Sequence, residues 1–184
     1  NWRRKRDIYR ASRIYVATPS RWLMNKVEGS MLAPAVVLPR VIHNGVDLSL
    51  FRPGNKGDVR RRLDVPEDAS VLVFVSKRVK QHRFKDYLTL RGAISRAATR
   101  MSNRRLIFLA LGEEAPDERV DGAEIRFIPY LDDPAAVASV YQAADLYLHA
   151  ARIEAENFPL AILEAMACGL PVVATAVGGI PEQV

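Results

Sequence analysis

The sequence predicts an α/β fold built on a parallel sheet with helices on both faces. Short apolar strands alternate along the chain with segments of helical periodicity, the pattern of a parallel sheet joined by right-handed crossovers. The run Val71–Ser76 is apolar at nearly every position, as expected for a strand covered on both faces. Sheets of this kind bind ligands beyond the carboxyl ends of their strands, so a site is expected in the loops there.

The first part of the chain is predicted to hold a basic helix, a strand, a capped helix and a second strand. These elements are 3–11, 13–18, the helix that follows the hydroxyl cap at Thr18-Pro19-Ser20, and 36–42. An Asn-Gly turn is predicted at 43–47, and the proline and glycines of 47–57 indicate a linker. We therefore predict the end of a first domain over 1–46, a linker over 47–57 and a second domain over 58–184.

The second domain is predicted to repeat the strand–helix alternation. Its predicted helices are 58–63, 85–100, 134–144 and 159–168, and its predicted strands are 71–76, 106–111, 124–128, 145–149 and 171–175. The chain ends six residues after Gly178, so we expect this domain to be truncated. The first residue is Asn1 rather than Met, which indicates a piece of a longer protein.

Composition excludes several classes of protein. Hydrophobic residues make up 49% of the 184 residues, which is enough to build a core and argues against a disordered chain. No apolar run approaches the roughly 20 residues that span a bilayer. The basic start is not followed by an apolar block, so no secretory signal is expected. The single cysteine, Cys168, excludes an internal disulfide framework and a cysteine-rich metal site. Its small neighbours favour a buried packing role, and a reducing cytoplasm suits it.

The positive charge is concentrated in residues 1–26, which hold eight Lys or Arg against Asp7, while the whole chain carries a net charge of +6. This segment is interpreted as either a solvated helix face or a contact with anionic lipids at the inner face of a membrane. Nucleic-acid binding is a weaker interpretation because few aromatic residues are interleaved with the basic ones, and we expect no nucleic-acid partner.

Two carboxylates, Glu156 and Glu164, stand eight positions apart around the start of a predicted helix. A carboxylate accepts hydrogen bonds from the vicinal hydroxyls of a ribose or a hexose, and a helix amino terminus favours a diphosphate. Acidic residues are also common at helix starts for their own stability, so the spacing alone leaves both explanations open.

The surroundings of this pair resemble the E-x7-E signature of the family-4 retaining glycosyltransferases. Glu156-x7-Glu164 matches the spacing, and Glu-Ala-Met-Ala-Cys-Gly-Leu-Pro-Val-Val-Ala-Thr with Val-Gly-Gly-Ile-Pro-Glu matches the rest. Val41–Asp47 with Phe51-Arg-Pro53 resembles the linker of the family, and Tyr15–Ser20 resembles the end of its first domain. The resemblance implies the GT-B fold of two Rossmann-like domains. It also implies metal-independent transfer of a hexosyl group from a nucleotide-diphosphate sugar to a glycan or lipid-linked acceptor.

The same resemblance implies roles for individual residues in donor binding. Glu164 would bind the ribose hydroxyls and Glu156 the transferred sugar. The amides of Phe158 and Leu160 would lie near the diphosphate, and the backbone of Pro129-Tyr130 would meet the nucleotide base.

A basic pair would neutralise the departing diphosphate. Lys85 fits its second position, with Asp86 where the family usually has Gly. Its first position is ambiguous among Lys77, Arg78 and Lys80, of which Lys77 follows the strand most directly. A solvated basic loop is the alternative.

Other departures from the family pattern bear on the site. Pro159 stands where the family has a glycine, and it has no amide to donate to a phosphate. Glu154 is a rival for Glu156 with the wrong spacing, and Glu182 is interpreted as a helix-start carboxylate. His43 replaces a common proline in the linker. His149 at a strand end is interpreted as a packing residue, or as one that supports a neighbouring site residue, in preference to a direct participant.

Two further functions stay open on sequence grounds. A non-catalytic nucleotide-sugar-binding module would keep the same donor contacts without transfer. A nucleotide-sugar epimerase also uses Rossmann-like halves, although the linker and the 150–182 block fit it less well.

Overall fold

A computed structural model describes residues 1–82, 84–101, 103–152 and 156–184. The chain divides into two compact units. Unit 1 comprises Asn1–Gly45, Ile153–Pro159 and Ala176–Val184, and unit 2 comprises Val46–Arg152 and Leu160–Thr175. This division follows compactness, and the domain boundaries given above stay a prediction.

The described residues of unit 1 contain a two-stranded parallel sheet, two α-helices and the short 3-10 helices Ala33–Ala35 and Ile180–Glu182. The α-helices and strands are α1 (Trp2–Arg10), β1 (Ile14–Thr18), α2 (Arg21–Glu28) and β2 (Val36–Val41), with β1 paired to β2. Helix α2 begins as predicted at Ser20, whose hydroxyl accepts a hydrogen bond from the Leu23 amide at 3.1 Å.

The amino terminus of α2 has a second cap from the far end of the chain. The carboxylate of Glu182 accepts hydrogen bonds from the amides of Arg21 and Trp22, both at 2.7 Å. Glu182 is therefore a helix-start carboxylate, as predicted, and the helix it serves is α2.

Unit 2 is an α/β layer structure. In chain order it contains α3 (Lys56–Arg62), β3 (Ser70–Val75), α4 (Tyr87–Arg100), β4 (Leu106–Leu111), β5 (Glu118–Val120), β6 (Ala123–Ile128), α5 (Pro134–Ala143), β7 (Leu146–His149), α6 (Leu160–Ala167) and β8 (Val172–Ala174). Within the described residues, six of these strands form one sheet in the order β5-β6-β4-β3-β7-β8. All neighbours pair in parallel except β5 and β6. This is the predicted fold class, with one addition.

That addition is the antiparallel edge strand β5, which the strand–helix alternation does not predict. β5 and β6 are joined by Asp121-Gly122, and both residues have positive φ, 46° and 91°. Two such residues are what a tight hairpin turn needs, and Asp-Gly is its usual sequence. Asp121-Gly122 was therefore the sequence signal from which this hairpin could have been predicted.

The core of unit 2 lies where the apolar runs predict it. Every residue of β4 is buried, and α4 packs Leu90, Ile94 and Ala98 against the sheet. Cys168 is buried as predicted, and desolvation raises the pKa of its thiol to about 11, so it is protonated at neutral pH.

A buried arginine holds the amino-terminal edge of the sheet. Arg60 of α3 is 5% exposed, and its guanidinium donates to Asp145 at 2.8 Å, just before β7. Three further hydrogen bonds from the guanidinium reach the carbonyls of Ala143, Glu67 and Ala69. Asp145 also accepts from the amide of Val71 in β3. One ion pair thus joins α3, β3 and β7.

No helix in the described part of the chain is long and apolar enough to cross a membrane. Among the same residues, no three His, Cys, Asp or Glu side chains gather as a metal-binding group.

Candidate functional site

The predicted diphosphate-binding loop follows β3 in unit 2. The amide of Arg78 donates to the carbonyl of Gly112 at 2.8 Å, so the loop lies across the carboxyl end of β4. Arg78 itself has a φ of 55°, which is a left-handed backbone conformation. The loop therefore has a defined turn at the edge where parallel sheets bind ligands.

Three residues were considered for the first basic position. For two of them, Lys77 and Lys80, the structure shows which groups the ammonium contacts. The ammonium of Lys77 lies 5.3 Å from the centre of the Tyr130 ring. Lys80 pairs with Glu118 at 2.5 Å and lies over the ring of Phe127 at 4.3 Å. Because Lys80 already has a carboxylate partner in unit 2, Lys77 and Arg78 are the better placed of the three to meet an anion.

Pro129 and Tyr130 follow β6, at the same carboxyl edge. A small cavity of about 60 Å³ lies here, lined by Ser76, Lys77, Gly112, Tyr130 and Leu131 among others. Tyr130 is 59% exposed, so much of its ring is accessible to a ligand. Larger cavities of unit 2 lie around α3 and at the amino-terminal edge, away from every predicted donor contact.

Lys85 is anchored to the end of β7. Its backbone forms an isolated bridge with Ala151, and the next amide, that of Asp86, donates to the carbonyl of Ala150 at 3.2 Å. The ammonium of Lys85 lies 3.1 Å from Nε2 of His149, the last residue of β7. Sequence reasoning gave His149 a packing or supporting role, and it did not identify Lys85 as the partner.

Glu164 lies on α6 and is held by a buried tyrosine of α5. The hydroxyl of Tyr141, which is fully buried, donates to Oε2 of Glu164 at 2.9 Å. Burial raises the pKa of Glu164 above its usual value, and the Tyr141 hydrogen bond opposes that rise. Leu160, the first residue of the same helix, is half exposed.

Glu156 and Phe158 belong to unit 1, in the short loop 156–159. The carbonyl of Glu156 accepts from the amide of Gly179 at 3.0 Å, and the side chain of Asn157 is hydrogen-bonded to the Ser20 hydroxyl. The carbonyl of Pro159 accepts from the side chain of Gln183 at 3.2 Å. The loop is therefore fixed through several of its residues by other parts of unit 1.

Phe158 is held by two consecutive residues of the predicted linker motif. The side-chain amide of Asn44 donates to the carbonyl of Phe158 at 3.0 Å. The imidazole of His43 stacks on the Phe158 ring at 4.8 Å between centres, and its Nδ1 lies 2.9 Å from the carbonyl of Pro19. An aromatic ring at position 43 allows this stack, which a proline could not form in the same way.

The predicted site residues thus fall into two groups. Lys77, Arg78, Lys85, Leu160 and Glu164 lie in unit 2 with Pro129 and Tyr130, and Glu156 and Phe158 lie in unit 1. Glu154, the rival for Glu156, is outside the described residues. The sequence reasoning missed Tyr141 and Asn44 as partners of site residues, because these contacts depend on packing between segments that are distant in sequence.

The family model described as glycosyl transferases group 1 matches residues 69–184. D-inositol 3-phosphate glycosyltransferase of Actinosynnema mirum is 39% identical in an alignment of 164 residues that covers 82% of this chain and 38% of the relative. The chain therefore spans well under half the length of that relative.

Solved structures with the same fold were also found. Sucrose-phosphate synthase from Thermosynechococcus elongatus superimposes with a TM-score of 0.71 and 27% identity, covering 90% of this chain and 41% of that one. Anabaena HepE, in complex with UDP and glucose, gives a TM-score of 0.65 at 23% identity, covering 92% of this chain and 46% of its own. At this identity, the similarity to HepE shows a shared fold and nothing more.

Proposed function

This chain belongs to the group 1 glycosyl transferases, and from that premise we propose that it binds a nucleotide-diphosphate sugar. The proposed reaction is transfer of the hexosyl group to a glycan or lipid-linked acceptor with retention of anomeric configuration. The Actinosynnema relative is named for D-inositol 3-phosphate, so a phosphorylated polyol is a further acceptor to test. The proposal concerns the whole enzyme, of which this chain contributes donor contacts.

The proposal is carried by one observation in unit 2. Glu164 and Lys85, proposed to bind the ribose and the diphosphate, are each held by a buried polar side chain, Tyr141 at 2.9 Å and His149 at 3.1 Å. Long charged side chains lose conformational entropy when they bind a ligand, so groups that are already positioned bind with a smaller loss.

In the proposed reaction, the bond between the sugar and the diphosphate breaks and negative charge develops on the diphosphate. The ammonium groups of Lys85 and Lys77 would stabilise that charge, with Arg78 nearby and no metal ion. The amides of Phe158 and Leu160 would contribute hydrogen bonds. Glu156 would contact the transferred sugar, and the backbone of Pro129-Tyr130 would contact the base.

The first test is calorimetric titration of the chain with UDP and GDP, using wild type and Glu164→Gln. Loss of hydrogen bonds between a charged carboxylate and the ribose should weaken binding of the preferred nucleotide by about 10- to 100-fold. The thermal midpoint at pH 7 should not fall, because the amide avoids the burial cost that raises the pKa of Glu164.

Glu67→Gln is the matched control, since Glu67 is an exposed carboxylate whose side chain is 72% accessible. It should bind nucleotide as wild type does. A folded wild-type chain that binds neither UDP nor GDP, or a Glu164→Gln variant with unchanged affinity, would count against the proposed donor site.

Contact with an anionic membrane surface is proposed for residues 1–26. Helix α1 has no buried residue, and its Trp2 and Ile8 are 56% and 52% exposed beside its basic side chains. Such a helix suits the surface of a membrane with anionic lipids at the cytoplasmic face.

Co-sedimentation with phosphatidylglycerol vesicles tests this contact, with phosphatidylcholine vesicles for comparison. Reversing two charges in Arg3→Glu, Arg4→Glu should reduce binding to the anionic vesicles at least about tenfold, at about 1 kcal/mol per basic residue. The matched reversal on α3, Arg61→Glu, Arg62→Glu, should have a smaller effect. Equal losses in the two variants would show that only net charge matters.

A further inference from the structure

His149 is a buried titratable residue with defined partners on both ring nitrogens. It is 2% exposed at the end of β7, and its ring packs edge-on against Phe74 at 6.1 Å between centres. Nδ1 lies 3.0 Å from the hydroxyl of the fully buried Tyr147, and Nε2 lies 3.1 Å from the ammonium of Lys85. The imidazole therefore connects the interior of the sheet to a lysine at its carboxyl edge.

The chemistry of these partners fixes the protonation of the ring. A lysine ammonium can only donate, so Nε2 must accept and the ring hydrogen resides on Nδ1, from where it is donated to the Tyr147 hydroxyl. Burial, with a contribution from the charge of Lys85, lowers the pKa of His149 to about 3. The ring is therefore neutral at physiological pH and can accept from the ammonium.

A neutral acceptor is suited to a lysine that must attract phosphate. A carboxylate in the same place would fix the ammonium but would add a negative charge that repels the diphosphate. The imidazole fixes the ammonium and adds no charge of its own. The bridge between Lys85 and Ala151 holds the backbone to the same strand end, so backbone and side chain of Lys85 are both positioned from β7.

We propose that His149 is a positioning residue, held by Tyr147, that orients the Lys85 ammonium toward the diphosphate of the donor. This inference rests on the proposed function and deepens it, because it names the residue through which the sheet controls diphosphate binding. His149 itself need not touch the donor.

The test compares UDP and GDP with uridine and guanosine on three forms of the chain: wild type, His149→Phe and His149→Gln. Phenylalanine keeps the ring packing but removes the acceptor, so the advantage of the diphosphate over the nucleoside should fall about tenfold, the equivalent of one charge-assisted hydrogen bond. Glutamine carries an oxygen that can accept from Lys85 and should restore most of that advantage. Nucleoside binding should be the same in all three forms.

The tautomer provides a readout that needs no nucleotide. Nitrogen-15 spectra should show His149 as the neutral Nδ1–H form from pH 5 to pH 8, its signals being those lost in His149→Gln among the three histidines. A ring that titrates near its usual pKa, or one protonated on Nε2, would overturn the proposed geometry.

The two proposals fail in different ways. If wild type prefers the diphosphates and His149→Phe keeps the full preference, the role of His149 is wrong while the donor site stands. If wild type binds the diphosphates no better than the nucleosides, the proposed function fails and this inference fails with it. Near-ultraviolet circular dichroism of each variant confirms that the fold is retained.

Discussion

At the scale of single residues, the loop 156–159 shows how a segment without regular secondary structure is held in place. Its backbone carbonyls are bound by Gly179, Asn44 and Gln183, and its phenylalanine ring is stacked on His43. Each bond is modest, at about 0.5–1.5 kcal/mol, but together they limit the freedom of the loop that carries Glu156. If Glu156 contacts the sugar as proposed, such restraint favours a precise contact over an adaptable one.

Gly178 is the residue on which this arrangement makes the strictest demand. Its φ is 59°, and a Cβ there would overlap the carbonyl oxygen of Glu156. Gly178→Ala should therefore lower the free energy of unfolding of unit 1 by about 2–4 kcal/mol, through backbone strain and the displaced loop. Tryptophan fluorescence during urea unfolding measures this, because Trp2 and Trp22 both lie in unit 1.

Gly45→Ala is the control in the same unit, because a Cβ at Gly45 meets nothing within 4 Å. It should leave the unfolding midpoint nearly unchanged. The explanation in terms of loop crowding would be wrong if the two alanine variants unfolded at the same urea concentration.

At the scale of elements, the sequence predicted most of what local patterns control. The buried strands β3 and β4, the Ser20 cap of α2 and the proline at the start of α5 all follow from spacing and capping rules. Strand β5 was missed because three residues are too few to show a period, although Asp121-Gly122 marked its turn.

The contacts around the site were harder to predict than the elements. The Tyr141–Glu164 pair joins residues 23 positions apart, and the Lys85–His149 pair joins residues 64 positions apart. Neither separation corresponds to the period of a helix or a strand, so a sequence pattern does not reveal these pairs. Both contacts depend on how helices and strands pack against each other. The roles assigned to Lys77, Arg78, Lys85, Glu156 and Glu164 in donor binding stay predictions.

At the scale of the whole molecule, carboxylates that are paired in the fold determine its response to acid. The pKa of Asp145 is lowered because hydrogen bonds from Lys56 and Val71 and the charge of Arg60 outweigh the opposing effect of burial. Hydrogen bonds from Arg126 and Arg105 lower the pKa of Glu124, although burial of this carboxyl raises it. A carboxyl whose pKa is lower in the folded than in the unfolded state contributes stability that is present at higher pH.

That stability should be lost as the pH falls through the unfolded values of 3.8 for Asp and 4.5 for Glu toward the lower folded values. The thermal midpoint should be level from pH 8 to pH 6 and fall by about 5–10 °C by pH 3.5. Asp145→Asn should have a lower midpoint at pH 7 and a shallower acid loss, whereas Glu67→Gln should follow wild type. Calorimetry across this pH range measures both; parallel curves for wild type and Asp145→Asn would exclude a major part for Asp145.

The position of the Arg60–Asp145 ion pair has a consequence for how such a domain can change over time. The ion pair tightens the amino-terminal edge of the sheet, while the loops proposed to bind the donor leave from the carboxyl edge. Mutations in those loops can therefore accumulate at one edge without weakening the interactions that stabilise the other. The same separation between the two edges would allow foreign loops to be grafted after β3, β6 or β7. The Arg60–Asp145 contacts at the amino-terminal edge would be kept unchanged in every such graft.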